Sequence, residues 1–162
     1  YNKLLCLNED VNQKLGYDFG MTHSEYMMRD GDFYLIESSN RGGGCFTSEI
    51  IIPEVTQVDL LSHFISECLS TSSEAQLLPE FIQQNPVTLR FFSLPKGKFK
   101  GVANWDKLIS AESCILGRLN VKPHDSVLDI TNDGNRHGFF IIRGDADSAN
   151  DLINTMEFEN SD

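Results

Sequence analysis

The chain has 162 residues with a net charge of −11 and 40% hydrophobic residues. That is long enough for one domain of ordinary size with a real core, and it is neither a disordered nor a fibrous composition. The acidic average would repel a nucleic-acid duplex or an anionic membrane, and no apolar run approaches the roughly 18 residues of a membrane span.

The chain opens at Tyr1 directly on a helical pattern, with Leu4, Leu5, Cys6, Leu7, Val11 and Leu15 in the apolar positions. This opening predicts a piece of a longer protein. Asn, Lys, Glu and Asp mixed among the first leucines predict no secretory leader. The helix is expected over 2–15, stopping at Gly16. Two strands are expected over 21–29 and 32–39, joined at Asp30-Gly31-Asp32, because Asp-Gly is a strong hairpin signal. Asn40-Arg41-Gly42-Gly43-Gly44 follows, a loop whose backbone can approach a ligand closely.

Ile50, Ile51 and Ile52 read as an extended run ending at Pro53. Thr56 and Asp59 form a capping pattern ahead of a helix over 57–69, with Val58, Leu61, Phe64, Ile65 and Cys68 on its apolar stripe. Residues 70–86 are rich in Ser, Glu, Gln and Pro and read as a connection, with a helical turn near 77–82. Strands are expected over 87–94, 113–121, 126–130 and 138–143. A turn is expected at 95–98, a short helix over 105–112 and a last helix over 147–157. The fold class is α+β, an antiparallel sheet with flanking helices, divided into 1–70, a connection over 71–86, and a small subdomain over 87–162.

Cys6, Cys45, Cys68 and Cys114 are widely spaced with no Cys-x-x-Cys pair, which predicts reduced thiols in a cytoplasmic protein rather than a zinc site. Cys45 has no base placed beside it in sequence to make it a nucleophile. Trp105 reads as a packing anchor at a helix start and His63 as structural. Arg136 and His137 read as a surface loop, with closure over an active site left open. His23 lies two residues before Glu25 on the same strand face. It reads as structural or surface, with contact to a substrate left open.

The chemistry concentrates in the hairpin. With a three-residue loop over 30–32, Arg29 faces Phe33 and Glu25 falls opposite Glu37. Facing side chains on paired strands lie about 4.5–5.5 Å apart at Cβ, so two carboxylates there repel unless a cation sits between them. A two-residue loop would shift the register by one and separate the pair. A solvated polar face without metal is the alternative.

Glu25-Tyr26-Met27-Met28-Arg29-Asp30-Gly31-Asp32-Phe33-Tyr34-Leu35-Ile36-Glu37, with Arg41 four residues on, resembles the ATP-grasp ligase family. The likeness rests on two glutamates twelve residues apart around a glycine turn, then an arginine. Gly42 to Gly44 resemble the glycine-rich continuation of amino-acid and peptide ligases in that family. Thr56-Gln57-Val58-Asp59-Leu60 resembles its helix start, and Arg136-His137-Gly138-Phe139 with Gly144-Asp145 resemble its C-terminal subdomain. The resemblance implies the C-terminal lobe of an ATP-grasp fold. It implies Mg²⁺ held by Glu25 and Glu37 against ATP, and a catalytic Arg41 on a small carboxylate substrate or its acyl phosphate. It also implies N–H groups of Gly43 and Gly44 on the same anion. Ser39 stands where many members carry an asparagine metal ligand, and is the expected third metal residue. The family's nucleotide-clamping lobe precedes this segment, so the chain alone is expected to be an incomplete enzyme. The alternative is a non-catalytic module of the same descent, serving in binding or as a homodimer.

Overall fold

The computed structural model describes residues 2–69 and 85–158. They fall into two compact units, Tyr1–Ile82 and Gln83–Asp162. The expected connection over 71–86, with its helical turn at 77–82, lies outside the described residues except for Asn85 and Pro86.

The first unit begins with α1 (Asn2–Leu15). Next comes a hairpin of β1 (His23–Arg29) and β2 (Asp32–Ser39). A two-stranded ribbon is marginal by itself. Here α1 is tied to it by polar contacts: Lys3 Nζ donates to Asp32 Oδ1 at 2.5 Å, and Tyr26 Oη donates to Asn8 Oδ1 at 2.9 Å.

The isoleucine run departs from its expected form. Thr47–Ile51 forms one π-helical turn, and α2 (Ile52–Thr56) continues it. The N–H groups of Ile50 and Ile51 both donate to the Phe46 carbonyl, at 2.9 and 3.0 Å. Three β-branched residues favour a strand. Pro53, however, sits in the first turn of α2, where a missing N–H costs no hydrogen bond.

The following helix also starts later than expected. Gln57, left-handed at φ 61°, ends α2, so Thr56 closes one helix instead of capping the next. Asp59 performs the capping for α3 (Leu60–Leu69), accepting from the Ser62 N–H at 3.0 Å and from Ser62 Oγ at 2.7 Å. These bonds hold its carboxyl below the usual carboxylate range. The expected apolar stripe is rotated as well. Ile65 and Cys68 are exposed, while Leu60, His63, Phe64 and Glu67 line a groove with Gly20, Met21 and Thr22.

The second unit holds all the buried apolar side chains among the described residues. Its sheet is antiparallel in the order β3 (Val87–Phe92), β7 (Gly138–Arg143), β5 (Cys114–Leu119). A small ribbon pairs β4 (Gly97–Lys98) with β6 (Ser126–Val127). The helices are α4 (Trp105–Ile109) and α5 (Ala146–Asn154). The run Phe139-Phe140-Ile141-Ile142 explains the central place of β7: it is apolar on both faces and every one of these residues is buried. Trp105 packs its ring 5.2 Å from Phe140 and 6.4 Å from Phe92, as a packing anchor should.

His137 corrects the surface-loop expectation. It is buried; Nδ1 accepts from the Leu94 N–H at 3.0 Å and Nε2 faces the Leu128 carbonyl at 2.9 Å. Those partners select the Nε2–H tautomer and make it a structural clip between strand ends. Arg136 lies over the Phe91 ring, 3.9 Å from its centroid.

Candidate metal and phosphate site

The hairpin turn is tighter than expected. Arg29 pairs with Asp32, not Phe33, so the loop is the two residues Asp30 and Gly31. Both have positive φ, 52° and 82°, the geometry of a tight turn whose twist matches the strands and which Asp-Gly favours. Continued without interruption, this register would set Glu25 against Ile36 and put Glu37 on the other face. It does not continue. Tyr26 pairs with Leu35, and Glu25 pairs with Glu37, so Ile36 is an extra residue on β2. A β-bulge of this kind re-aims side chains at the cost of a local break in the ladder. Two offsets cancel, and the carboxylates face each other.

The next pair, His23 and Ser39, falls on the same face by the period of two. His23 Nε2 lies 3.3 Å from Glu25 Oε1. His23, Glu25 and Glu37 each offer one donor atom, and the three atoms lie within 4.8 Å of one another. His23 is half-buried and both glutamates are exposed. On the opposite face Ser24 and Ser38 hydroxyls meet at 2.9 Å, which leaves the first face as the charged one.

The glycine loop closes behind His23. A Cβ at Gly43 would stand 2.9 Å from His23 Nδ1, closer than real Cβ atoms approach, and a tight 3.0 Å from Thr47 Cβ. A side chain here would force His23 or Thr47 to shift. Ser48, the buried polar side chain among the described residues of this unit, accepts from the Gly43 N–H at 3.1 Å. Gly44 accepts from Thr47 Oγ1 at 2.6 Å. Arg41 is exposed, and its Nη1 donates to the Gly42 carbonyl at 2.8 Å.

The structure therefore brings together Glu25 and Glu37 and sets Ser39 two residues along β2 on the same face, while Arg41 and the Gly43–Gly44 backbone lie on the loop that follows β2, with Arg41 on the Gly42 carbonyl. The donor atoms of two carboxylates and an imidazole, all within 4.8 Å of one another, are a set that could hold a divalent cation. The bulge at Ile36, the Ser48 anchor and the membership of His23 in the cluster were missed by sequence reasoning. Only His23 had left a signal, its i, i+2 spacing from Glu25. All four cysteines are free, and Cys45 is exposed.

No protein-family model matches this sequence, and no curated protein does. Solved structures do match. An L-amino acid ligase from Bacillus licheniformis superposes with a TM-score of 0.77 at 16% identity, over 99% of this chain and 42% of that one. A phosphoribosylglycinamide synthetase from Anaerococcus prevotii superposes with a TM-score of 0.68 at 14% identity, over 93% of this chain and 39% of that one. The chain thus spans about two-fifths of the length of the ligases it matches. At such identities the likeness speaks for the fold alone: this chain has the fold of a part of these two solved proteins.

Proposed function

We propose that this chain supplies the cation- and phosphate-binding half of an ATP-dependent ligase, one that activates a carboxylate as an acyl phosphate for attack by an amine. The observation that carries this is the facing pair Glu25 and Glu37, aligned by the bulge at Ile36. Like charges directly opposite on a hairpin destabilise it. An arrangement that spends a bulge to create such a pair has a use for it.

Glu25 and Glu37 would hold Mg²⁺ on the phosphates of ATP, with Ser39 near enough in register to add a hydroxyl or a bound water. When bound, the cation neutralises charge on the transferring phosphoryl group. Arg41 is exposed and free to leave the Gly42 carbonyl, and its guanidinium suits a carboxylate or an acyl phosphate. An anion taking the Gly43 N–H would compete with Ser48 Oγ for it. The substrate carboxylate attacks the γ-phosphorus and ADP leaves; the amine then attacks the acyl carbon and phosphate leaves. The L-amino acid ligase among the structural neighbours supports an amino-acid-like carboxylate. The coverage of those neighbours supports a nucleotide-clamping lobe from chain outside these 162 residues, so the segment alone would bind ATP weakly.

The test is Mg²⁺-dependent ATP binding by the full-length protein, followed by calorimetry. Glu37→Gln should lower the affinity by roughly tenfold or more, as loss of a metal-orienting group does. Binding that ignores both Mg²⁺ and Glu37→Gln would overturn the assignment. A second reading, a non-catalytic binding or dimerisation module, is favoured by Ser39 standing opposite His23 where an asparagine ligand is expected. It predicts nucleotide binding without turnover.

A further inference from the structure

The cation site has a third protein donor. We infer that His23 ligates the cation held by Glu25 and Glu37, giving a mixed nitrogen and oxygen set that favours a first-row transition metal such as Mn²⁺ or Co²⁺ over Mg²⁺. The inference rests on the carboxylate-pair assignment above and goes beyond it, from the presence of a cation to its kind.

Three independent features of the fold support it. The first is register: His23 occupies the pair next to Glu25 and Glu37 on the same face, so its ring projects to the same side of the ribbon. The second is reach. Nε2 lies 3.3 Å from Glu25 Oε1, and the three donor atoms fit within 4.8 Å. Two donors bound to one cation at about 2.0–2.2 Å each cannot be much more than about 4.4 Å apart, so small side-chain adjustments bring all three onto one ion. The third is restraint. Gly43 has no Cβ where one would meet Nδ1 at 2.9 Å, and Thr47 closes the same space. The loop backbone thus backs the imidazole on its Nδ1 side and leaves Nε2 toward the carboxylates.

The chemistry then decides the metal. Mg²⁺ prefers an all-oxygen octahedron and keeps several waters, so an imidazole adds little to its binding. Affinity for nitrogen-containing sets rises from Mn²⁺ through Co²⁺ along the first row. A site with one imidazole and two carboxylates gains from His23 with those ions and gains almost nothing with Mg²⁺.

The experiment uses the full chain, MnCl₂ or CoCl₂ without nucleotide, and MgCl₂ as competitor. The chain is labelled with ¹⁵N-histidine, and spin-echo modulation of bound Mn²⁺ is recorded. Modulation by a directly bound ¹⁵N is expected in the unaltered chain and should vanish in His23→Gln, which retains His63, His124 and His137. Loss of a group one shell further out costs about 10–100-fold in metal affinity. His23→Gln should therefore weaken Co²⁺ at least about tenfold and leave Mg²⁺ within about twofold. An unaltered chain without nitrogen modulation overturns the inference, and that result needs no variant to fold. Co²⁺ binding unchanged in His23→Gln but lost in Glu37→Gln overturns it too, while the carboxylate pair stands. Cation binding unmoved by either substitution removes both.

Discussion

Glu37→Gln should stabilise the hairpin in the absence of a cation. The donor oxygens of Glu25 and Glu37 lie within 4.8 Å of each other. Two unit charges at that separation repel by about 0.9 kcal/mol in water and by about 3.5 kcal/mol at an effective dielectric of 20. Both glutamates are exposed, Glu25 at 56% of its side chain, so the lower figure governs. Screening at 0.1 M salt, where the Debye length is about 10 Å, trims it to about 0.5 kcal/mol. Removing one charge should therefore favour the closed hairpin by about 0.5–1 kcal/mol, roughly a two- to fivefold gain in local protection. Hydrogen exchange resolved at the amides of β1 and β2 reads this directly, free of the more deeply packed second unit. The sign should reverse with a divalent cation at a concentration that saturates the unaltered chain: protection rises there and rises less in Glu37→Gln. Lower hairpin protection in metal-free Glu37→Gln would show that the facing carboxylates are not in repulsion, and the argument for a cation from the bulge would go with it.

Gly43→Ala should cost about 1–3 kcal/mol in hairpin and loop protection, because the new methyl must displace His23 and Thr47. Gly44→Ala, where a Cβ meets nothing within 4 Å, is the matched control and should change little. Phe140→Ala should cost about 3–5 kcal/mol and lower the denaturant midpoint of the second unit, since Phe140 is fully buried with its ring against Phe92 and Trp105. Asp145 caps α5, accepting from the Ser148 N–H at 2.9 Å and from Ser148 Oγ at 2.7 Å, and these bonds hold its carboxyl below the usual range. A folded-state value below the unfolded one means the stabilisation is complete above the ordinary carboxylate range and is lost as pH falls through the folded value. Asp145→Ala should thus destabilise the second unit at pH 7, and the deficit should shrink in urea melts as pH falls below the ordinary carboxylate range.

Much of this protein was legible in its residues. Period and punctuation located α1, both hairpin strands and β7 closely, because each carries a local cause: apolar spacing, the Asp-Gly turn, an unbroken apolar run. The pairing of Glu25 with Glu37 was reached too, but through a three-residue loop that does not exist. The turn is two residues long, and the bulge at Ile36 restores the register that the turn removes. Nothing in the letters Leu35-Ile36-Glu37 specifies a bulge, since it depends on which backbone groups find partners across the ribbon. The isoleucines before Pro53 failed for the same kind of reason: their strand preference is weak, and a helical turn anchored on the Phe46 carbonyl overrides it. The residue types that a cation site needs were set by the sequence alone, as carboxylates at a fixed spacing beside a glycine run. That the carboxylates come within 4.8 Å of each other and of the His23 ring was decided by tertiary contacts, because register, bulge and the close approach of Gly43 are properties of two backbones packed together and not of either one.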